Sequence, residues 1–292
     1  MQNRTARPAS SRLEASGVPL DHVDVRVLHV GRDVLGAGGW DHSQLAGGHW
    51  RLYHNDSPGA TLFMAGEAIA LEPGAIYIIP PSSRMASRNE NPFVQVFVHF
   101  DVVCALPILL EEAILGPTVV PEIGGYSEAV VELGLRVEQS HYPNIGVECM
   151  AKAIVYQAFA QCLNALSTDR VRSLWMRLDS LRPVMPALLH IEQHFGGEIR
   201  NPFLAELCRM SEDHFIRRFR EAVGVPPVQY VLKRRVAVAA QRLLFTADTI
   251  DEIAEATGFT DRFYFSRMFA REMGRPPAAY RSGLRTQRPD GL

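Results

Sequence analysis

The spacing of apolar residues divides the chain into a front part and a back part. In residues 23–100, apolar and polar side chains alternate in short runs, such as Trp50 and Leu52 against Arg51 and Tyr53. Alternation with a period of two is typical of β-strands, and Gly, Pro and Asn/Asp turns separate these runs. The pattern predicts an all-β barrel or sandwich.

From residue 126 the apolar positions recur at helical spacing. Residues 126–139 and 145–166 predict two helices, the second with a broad apolar face. That face is formed by Val147, Met150, Ile154, Phe159, Leu163 and Leu166. It can pack on the β-structure or form a dimer interface, and the pattern favours neither. Residues 167–180 are predicted to connect the two parts of the chain.

The back part contains one structural unit twice. Residues 215–230 (FIRRFREAVGVPPVQY) and 265–280 (FSRMFAREMGRPPAAY) are identical at seven of sixteen positions without a gap. In each copy, two Phe residues four apart and a Val or Met four further on form one apolar helix face, and a Gly ends the helix. One folded unit is therefore expected to occur twice.

Each copy also has a shorter helix in front of it. Asn201-Pro202 is a predicted helix start, and Thr249 begins a predicted capping box. Ser211 and Asp261 are predicted to cap the second helices. A short helix, a tight turn and a longer helix form a helix-turn-helix, whose second helix enters the major groove of DNA.

Residues 227–245, between the two copies, are rich in Ala, Leu and Arg and contain no Gly and no Pro after the first position. They predict one long helix that holds the two units at a fixed separation. Residues 181–285 carry 16 Lys or Arg and 12 Asp or Glu, a net charge of +4, whereas the rest of the chain has −6. A positive field on the back part suits contact with phosphates.

Short motifs of the back part occur in a fixed order: Gly258-Phe259, Phe265-Ser266-Arg267, Gly274, Pro276-Pro277 and Tyr280-Arg281. With this order, residues 181–283 resemble the DNA-binding region of the AraC-type (arabinose-regulator-type) transcription factors. The resemblance implies two helix-turn-helix units, joined by a long helix, that bind adjacent major grooves of promoter DNA. It also implies a regulator, often an activator, that forms a homodimer and contacts RNA polymerase.

The resemblance further implies which residues contact DNA. They are Ser211, Asp213, Ile216, Arg217 and Arg218 in the first unit, and Arg262, Phe263, Tyr264, Ser266 and Arg267 in the second. Arg217 and Arg267 occupy the same place in the repeat, where an Arg can bind guanine O6 and N7 with both arms. Asp213 and Ile216 suit a cytosine amino group and a thymine methyl, so the two units are expected to recognise different sequences. Arg218 and Ser266 are expected at phosphates.

In the front part, Leu71-Glu72-Pro73-Gly74, Tyr77-Ile78-Ile79-Pro80-Pro81 and His99-Phe100 resemble the cupin-like sensor domains that precede such DNA-binding units. The resemblance implies a small-molecule effector inside a barrel, with sugar-type ligands favoured by the breadth of the family. The candidate ligand-binding residues are Arg51, Tyr53, His54 and Tyr77. The alternation leaves open whether Arg51 and Tyr53 face inward with Tyr77, or whether Trp50, Leu52 and His54 do.

Catalytic and metal-binding motifs are sparse. His42, His49, His54 and His99 include no His-x-His pair, and the odd spacing of His49 and His54 sends them to opposite faces of a strand. The four Cys, at 104, 149, 162 and 208, have no metal-ligand spacing. We therefore expect no enzyme activity, no metal and no cofactor. The alternative is a cupin ligand-binding or metalloenzyme domain with an appended helical module that binds another protein.

The sequence as a whole predicts an α+β chain of five segments. These are a flexible leader (1–22), a cupin-like β-barrel sensor domain (23–125), a helical dimerisation or linker segment (126–180), an all-α double helix-turn-helix domain (181–285) and a tail (286–292). The start lacks the apolar core of a signal peptide, and no apolar run is long enough to span a membrane. With few, scattered Cys, a cytoplasmic protein without membrane association is expected.

Overall fold

The computed structural model describes residues 23–45, 47–81, 85–103, 107–140 and 144–285 of the chain. The predicted leader, the predicted tail and one of the four cysteines lie outside these residues. Within the described ranges, no helix combines the length and the apolar character that crossing a bilayer requires.

The front of the chain forms a β-domain of two antiparallel sheets. The strands are β1 (Asp24–Leu35), β2 (His42–Leu45), β3 (Trp50–Asn55), β4 (Ala60–Met64), β5 (Glu67–Ala70), β6 (Ile76–Ile79), β7 (Met85–Asn89), β8 (Phe93–Val103) and β9 (Thr118–Val119). Their orders are β1-β8-β3-β6-β9 and β2-β7-β4-β5. No strand pairing joins the two sheets in the described residues, which corrects the predicted closed barrel. Of the four edge strands, β9, β2 and β5 have two, four and four residues, and the longer β1 pairs only with β8.

Strand β3 lies between β8 and β6 and is buried on both faces. Trp50 and Leu52 belong to a core that the five-stranded sheet shares with helices, whereas Tyr53 and its cross-strand partner Tyr77 belong to the core between the sheets. The period of two therefore places Arg51 with Tyr53 on the face between the sheets. The structure thus decides between the two orientations of β3 that the sequence left open.

Four helices follow or interrupt the β-domain: α1 (Pro107–Ala113), α2 (Tyr126–Gln139), α3 (Ile145–Asn164) and α4 (Thr168–Leu181). Helices α2 and α3 pack on the outer face of the five-stranded sheet, and the Tyr126 hydroxyl donates to the carbonyl of Ile154 at 2.6 Å. Helix α1 was not predicted. Helix α4 occupies the predicted connection, because Ser167 caps it and accepts from the backbone N–H of Arg170.

The back of the chain contains seven helices in the described residues. They are α5 (Met185–His194), α6 (Asn201–Leu207), α7 (Glu212–Val223), α8 (Pro227–Phe245), α9 (Ile250–Ala256), α10 (Arg262–Met273) and α11 (Pro277–Arg285). The pairs α6–α7 and α9–α10 have the helix-turn-helix arrangement, and α8 joins them. With 19 residues, α8 is about 28 Å long. It contributes Val231 to the core of the first unit and Val236, Ala239 and Leu243 to the core of the second.

Most of the predicted helix boundaries are present, and one is wrong. Gly224 ends α7 in the left-handed conformation with φ 87°, and the capping box at Thr249 is formed. Asn201, however, is the first residue of α6 and not its cap, because the carbonyl of Arg200 already accepts from Leu204. Ser211 does occupy the cap position of α7, but its side chain makes no capping hydrogen bond.

Candidate functional site

The recognition helices α7 and α10 present equivalent surfaces. In each helix the two Phe residues of the repeat are fully buried, which directs the opposite face to solvent. Arg217 and Arg267 lie exposed on that face, each directly after a half-buried residue, Ile216 or Ser266. Within the part of the chain that the structure describes, neither arginine has a hydrogen-bond or ion-pair partner. Each recognition helix therefore presents one unpaired arginine at the equivalent position, where it is available to contact guanine or phosphate.

The start of α10 combines aromatic and basic groups. Phe263 is 74% exposed and Tyr264 is 44% exposed. The Asp261 carboxylate accepts from the backbone N–H groups of these two residues at 2.8 and 3.2 Å, so it caps the helix and fixes its entry. Arg262 pairs with Asp251 of α9 at 3.0 Å. Because both side chains of this pair are more than half exposed, the pair is weak and Arg262 can exchange its partner for a phosphate.

The start of α7 is more acidic. Ser211 and Asp213 are exposed there, as their predicted role requires. Arg218 pairs with Glu221 at 2.8 Å on the same helix, which reduces its availability for phosphate. The first unit therefore offers Arg217 as its one unpaired basic group among the five candidates predicted on it, all of which lie in the described residues.

One guanidinium connects the two helix-turn-helix units. Arg235 of α8 donates from Nε and Nη2 to the carbonyls of Phe195 and Gly197 in the first unit, at 2.7 Å each. Its Nη1 donates at 2.7 Å to the carbonyl of Gly258, in the turn of the second unit, and it lies over the ring of Phe259. These contacts fix the relative orientation of the two units.

Helix α8 also docks on the β-domain through an ion network. Asp101 of β8 lies 3.1 Å from Arg26 of β1 and 3.5 Å from Arg234 of α8. Arg234 Nε lies 2.8 Å from a Glu192 oxygen, although off the hydrogen-bond direction, and the Tyr230 hydroxyl donates to Glu192 at 2.8 Å. Burial opposes the charge of Arg234, but Glu192 and Asp101 together raise its pKa. Burial and Glu192 both raise the pKa of Tyr230.

Further along α8, Gln241 extends this contact. Its amide nitrogen donates to the carbonyl of Gly48 at 2.6 Å, and its amide oxygen accepts from Arg26 at 2.8 Å. Gly48 has φ 58°, and a Cβ built there would lie 3.1 Å from the Ala237 backbone. Positions 230, 234, 237, 241 and 245 follow one face of a helix, so a single stripe of α8 faces the β-domain.

A cavity of about 410 Å³ lies beside this network, between the β-domain and the first unit. Its walls are mostly apolar and include Trp50 and Val102 from the β-domain and Val223 and Val225 from the end of α7. Asp101, Glu192 and Arg234 border it. The domain interface therefore contains both a network of ion pairs and an unfilled cavity.

The four predicted ligand-binding residues do not form one group. Arg51, Tyr53 and Tyr77 share the face between the sheets, but His54 lies on the opposite face of β3, so the four side chains cannot line one pocket. The Tyr77 hydroxyl accepts from the backbone N–H of Glu72 at 2.9 Å and so has a structural role. Of the four candidates, Arg51 and Tyr53 remain as polar groups of that face.

Two histidines lie beside Arg51. His99, directly opposite Arg51 in the sheet, and His49 have rings 4.8 Å apart. Burial, and then the neighbouring charge of Arg51, lowers the pKa of His49 well below its usual value. The pKa of His99 is also well below the usual value, because its ring nitrogens are buried and because His49 and Arg51 are close. In the described ranges, no group of three or more His, Cys, Asp or Glu side chains has an arrangement that could hold a metal ion.

Comparison with known proteins agrees with the double helix-turn-helix. The family model of a helix-turn-helix domain matches residues 204–283. The chain is 34% identical over 247 residues to the RCS-specific HTH-type transcriptional activator RclR of Escherichia coli K12, a match that covers 77% of this chain and 81% of RclR. The chain belongs to the AraC-type family of transcriptional regulators.

Other relatives of this AraC-type regulator match shorter stretches of the chain. The MmsAB operon regulatory protein of Pseudomonas aeruginosa is 32% identical over 127 residues, which is 41% of each chain. The match to YbfP of Bacillus subtilis covers only 35% of that relative. Among solved structures, ToxT from Vibrio cholerae O395 has the same fold, with a TM-score of 0.51 over 89% of this chain and 97% of ToxT, at 16% identity.

Sequence reasoning missed the side chains that join the parts of this AraC-type regulator. Arg234, Arg235 and Gln241 were regarded only as members of a connecting helix. The sequence did contain an indication of their role: polar residues that recur along a helix buried on several sides need hydrogen-bond partners in other elements. The partners themselves, on β8 and in the turn of the second unit, are brought close only by the tertiary fold.

Proposed function

We propose that this AraC-type regulator binds promoter DNA through α7 and α10 and that its β-domain, cupin-like in origin, senses a small molecule such as a sugar or related metabolite. The observation that carries the proposal is the pair Arg217 and Arg267, exposed, unpaired and equivalent on two helices held by one guanidinium. In this proposal, each arginine binds guanine in a major groove. Phe263 and Tyr264 add apolar contact with bases, and the other candidates contact phosphates or flanking bases.

The docking of α8 on the β-domain supports a coupling between ligand and DNA. The same helix carries Arg235, which orients the two units, and Arg234 and Gln241, which contact the β-domain. A ligand changes DNA affinity only if it binds one arrangement of the domains better than another. A change at the α8 contact would reach both recognition helices because they share this helix.

The remaining features of the proposal rest on the family. The names of relatives such as RclR and RhaS describe activators, which favours activation through contact with RNA polymerase in the cytoplasm. We also propose a homodimer, which light scattering of the purified protein would test. The apolar face predicted on α3 contributes little support, because its six residues all belong to the core beneath the helix.

Selection of bound sequences from a random DNA pool tests the DNA-binding function. The wild type should enrich two blocks about one helical turn apart. Arg267→Ala and Arg217→Ala should each relax one block and weaken binding by roughly 10- to 100-fold. Arg182→Ala, which removes an exposed charge outside the recognition helices, is the matched control and should leave both blocks intact. If nothing is enriched at low salt, with or without cell extract, the helical module is instead a protein-interaction module.

A further inference from the structure

The β-domain holds a buried cation without a counter-charge. Arg51 is only 3% exposed. Its polar neighbours are neutral: Nη1 donates to the carbonyl of His49 at 3.4 Å, and Tyr53 lies two residues further along the same face of β3. Within the described ranges, no carboxylate lies at ion-pair distance from it. A buried unpaired charge is costly, so such a guanidinium is expected to be held for an anion.

The groups around Arg51 also lack partners. His99 faces Arg51 across β3 and β8, and neither of its buried ring nitrogens has a hydrogen-bond partner. His49 is 2% exposed, its Nδ1 lies 2.9 Å from the carbonyl of Gly47, and its Nε2 has no partner. Because Nδ1 carries the proton in this contact, Nε2 is an acceptor. The cluster therefore offers a cationic fork, an acceptor for a hydroxyl and a histidine that can donate.

Gly47 allows the side chains of His49 and Arg51 to lie close to the backbone. A Cβ built on Gly47 would lie 2.2 Å from the His49 ring and 2.7 Å from Arg51 Nη2. Only glycine at this position lets the imidazole and the guanidinium lie against the same stretch of backbone. The arrangement of the cluster is thus fixed by the backbone that leads into β3.

An aromatic side chain from the DNA-binding part covers the cluster. Phe245 is the last residue of α8, and its ring centroid lies 5.1 Å from that of His49 and 5.8 Å from that of His99. His29 of β1, opposite His99 in the sheet, lies 6.2 Å from the same ring. Four residues later, Thr249 caps the first helix of the second DNA-binding unit. The cover of the cluster is therefore part of the connection between the two units.

We propose that Arg51, His49 and His99 form a binding site for a small hydroxycarboxylate, and that Phe245 and this ligand compete for it. The inference rests on the proposed function, in which the β-domain senses a small molecule, and it names the class of ligand. The carboxylate pairs with Arg51 and accepts from His99, while the ligand hydroxyl donates to Nε2 of His49. A neutral sugar offers hydroxyls but leaves the buried charge unpaired.

Competition with Phe245 supplies the coupling. The ligand binds the arrangement in which Phe245 has left the cluster, so it shifts the population toward an undocked end of α8. That end leads directly into α9 and α10, so the second recognition helix gains freedom to move relative to the β-domain. Removal of the Phe245 ring has the same effect without ligand.

Calorimetric titration of the full chain with a panel of two- to six-carbon hydroxycarboxylates, including lactate and gluconate, tests the site. Propane-1,2-diol and glucose serve as uncharged counterparts. At least one hydroxycarboxylate should bind, and its counterpart should not. Phe245→Ala should tighten that binding by about 10-fold, and Arg51→Gln should weaken it by at least about 10-fold. Phe203→Ala, which removes an exposed ring on α6 far from the cluster, is the control for Phe245.

Two outcomes overturn the inference. If no hydroxycarboxylate binds Phe245→Ala, in which the covering ring is gone, the cluster is not a hydroxycarboxylate site. This outcome is decisive even if the Arg51→Gln variant fails to fold. If binding is equal in wild type and Phe245→Ala, the competition does not exist. The proposed function fails separately: it survives if an uncharged sugar alters promoter binding, and it fails if random-pool selection enriches no sequence.

Discussion

The guanidinium of Arg235 lies against the backbone of Gly258: a Cβ built on that glycine would be 2.9 Å from Arg235 Cζ and 2.7 Å from the carbonyl oxygen of Gly196. Gly258 also has φ 81°, a conformation that other residues rarely adopt. The turn of the second unit is thus built around the contact that holds the two units together.

Gly258→Ala should lower the free energy of unfolding by about 2–4 kcal/mol, since backbone strain and the steric clash add. Gly224→Ala is the matched control. It has φ 87°, but nothing lies within 4 Å of its added Cβ, so only the strain of about 1 kcal/mol is expected. Chemical denaturation followed by circular dichroism measures both variants. Equal losses would show that the contact with Arg235 has no energetic weight.

Arg235→Gln should affect DNA containing both sequence blocks more than DNA containing one. The substitution removes charged hydrogen bonds, each worth about 1.5–3 kcal/mol, that orient the two units. Affinities for one-block and two-block DNA, measured by fluorescence anisotropy, give the comparison. Lys233→Gln removes an exposed charge from the same helix and is the control. A uniform loss on both DNAs would mean that Arg235 acts only through charge.

Asp101→Asn should loosen the docking of α8. It removes the carboxylate that pairs with Arg26 and Arg234, and leaves Arg234 with Glu192 alone. Breaking a buried ion pair of this kind costs about 2 kcal/mol or more. Amide hydrogen exchange of α8 should become faster. Asp179→Asn, which breaks a pair whose side chains are about 70% exposed, should not change it.

Stability should fall as the solution is acidified from pH 7 toward pH 5. His49 and His99 have folded-state pKa values well below 6.5, so below that pH the unfolded chain binds protons that the folded chain does not. Each histidine contributes at most about 1.4 kcal/mol per pH unit. Denaturation across this pH range should show a shallower slope for His99→Gln than for wild type. A shallower slope for His214→Gln, an exposed histidine on α7, would refute this assignment.

The sequence by itself determined the elements that follow from local physics. The repeat at 215–230 and 265–280, with two Phe residues four apart and a terminal Gly, predicted both recognition helices and the exposed arginine on each. The alternation in residues 50–53 predicted a strand there. These patterns depend on neighbours within a few residues, so they are present in the linear chain.

Only the tertiary structure decided what those elements face. The alternation in β3 was equally compatible with either face turned inward, and the packing of α2 and α3 on the sheet settled it in favour of Arg51 and Tyr53. The contacts of Asp101 with Arg234, and of Phe245 with His49, join residues more than 100 positions apart. Such pairs depend on how whole helices and sheets pack, and no local pattern records that packing.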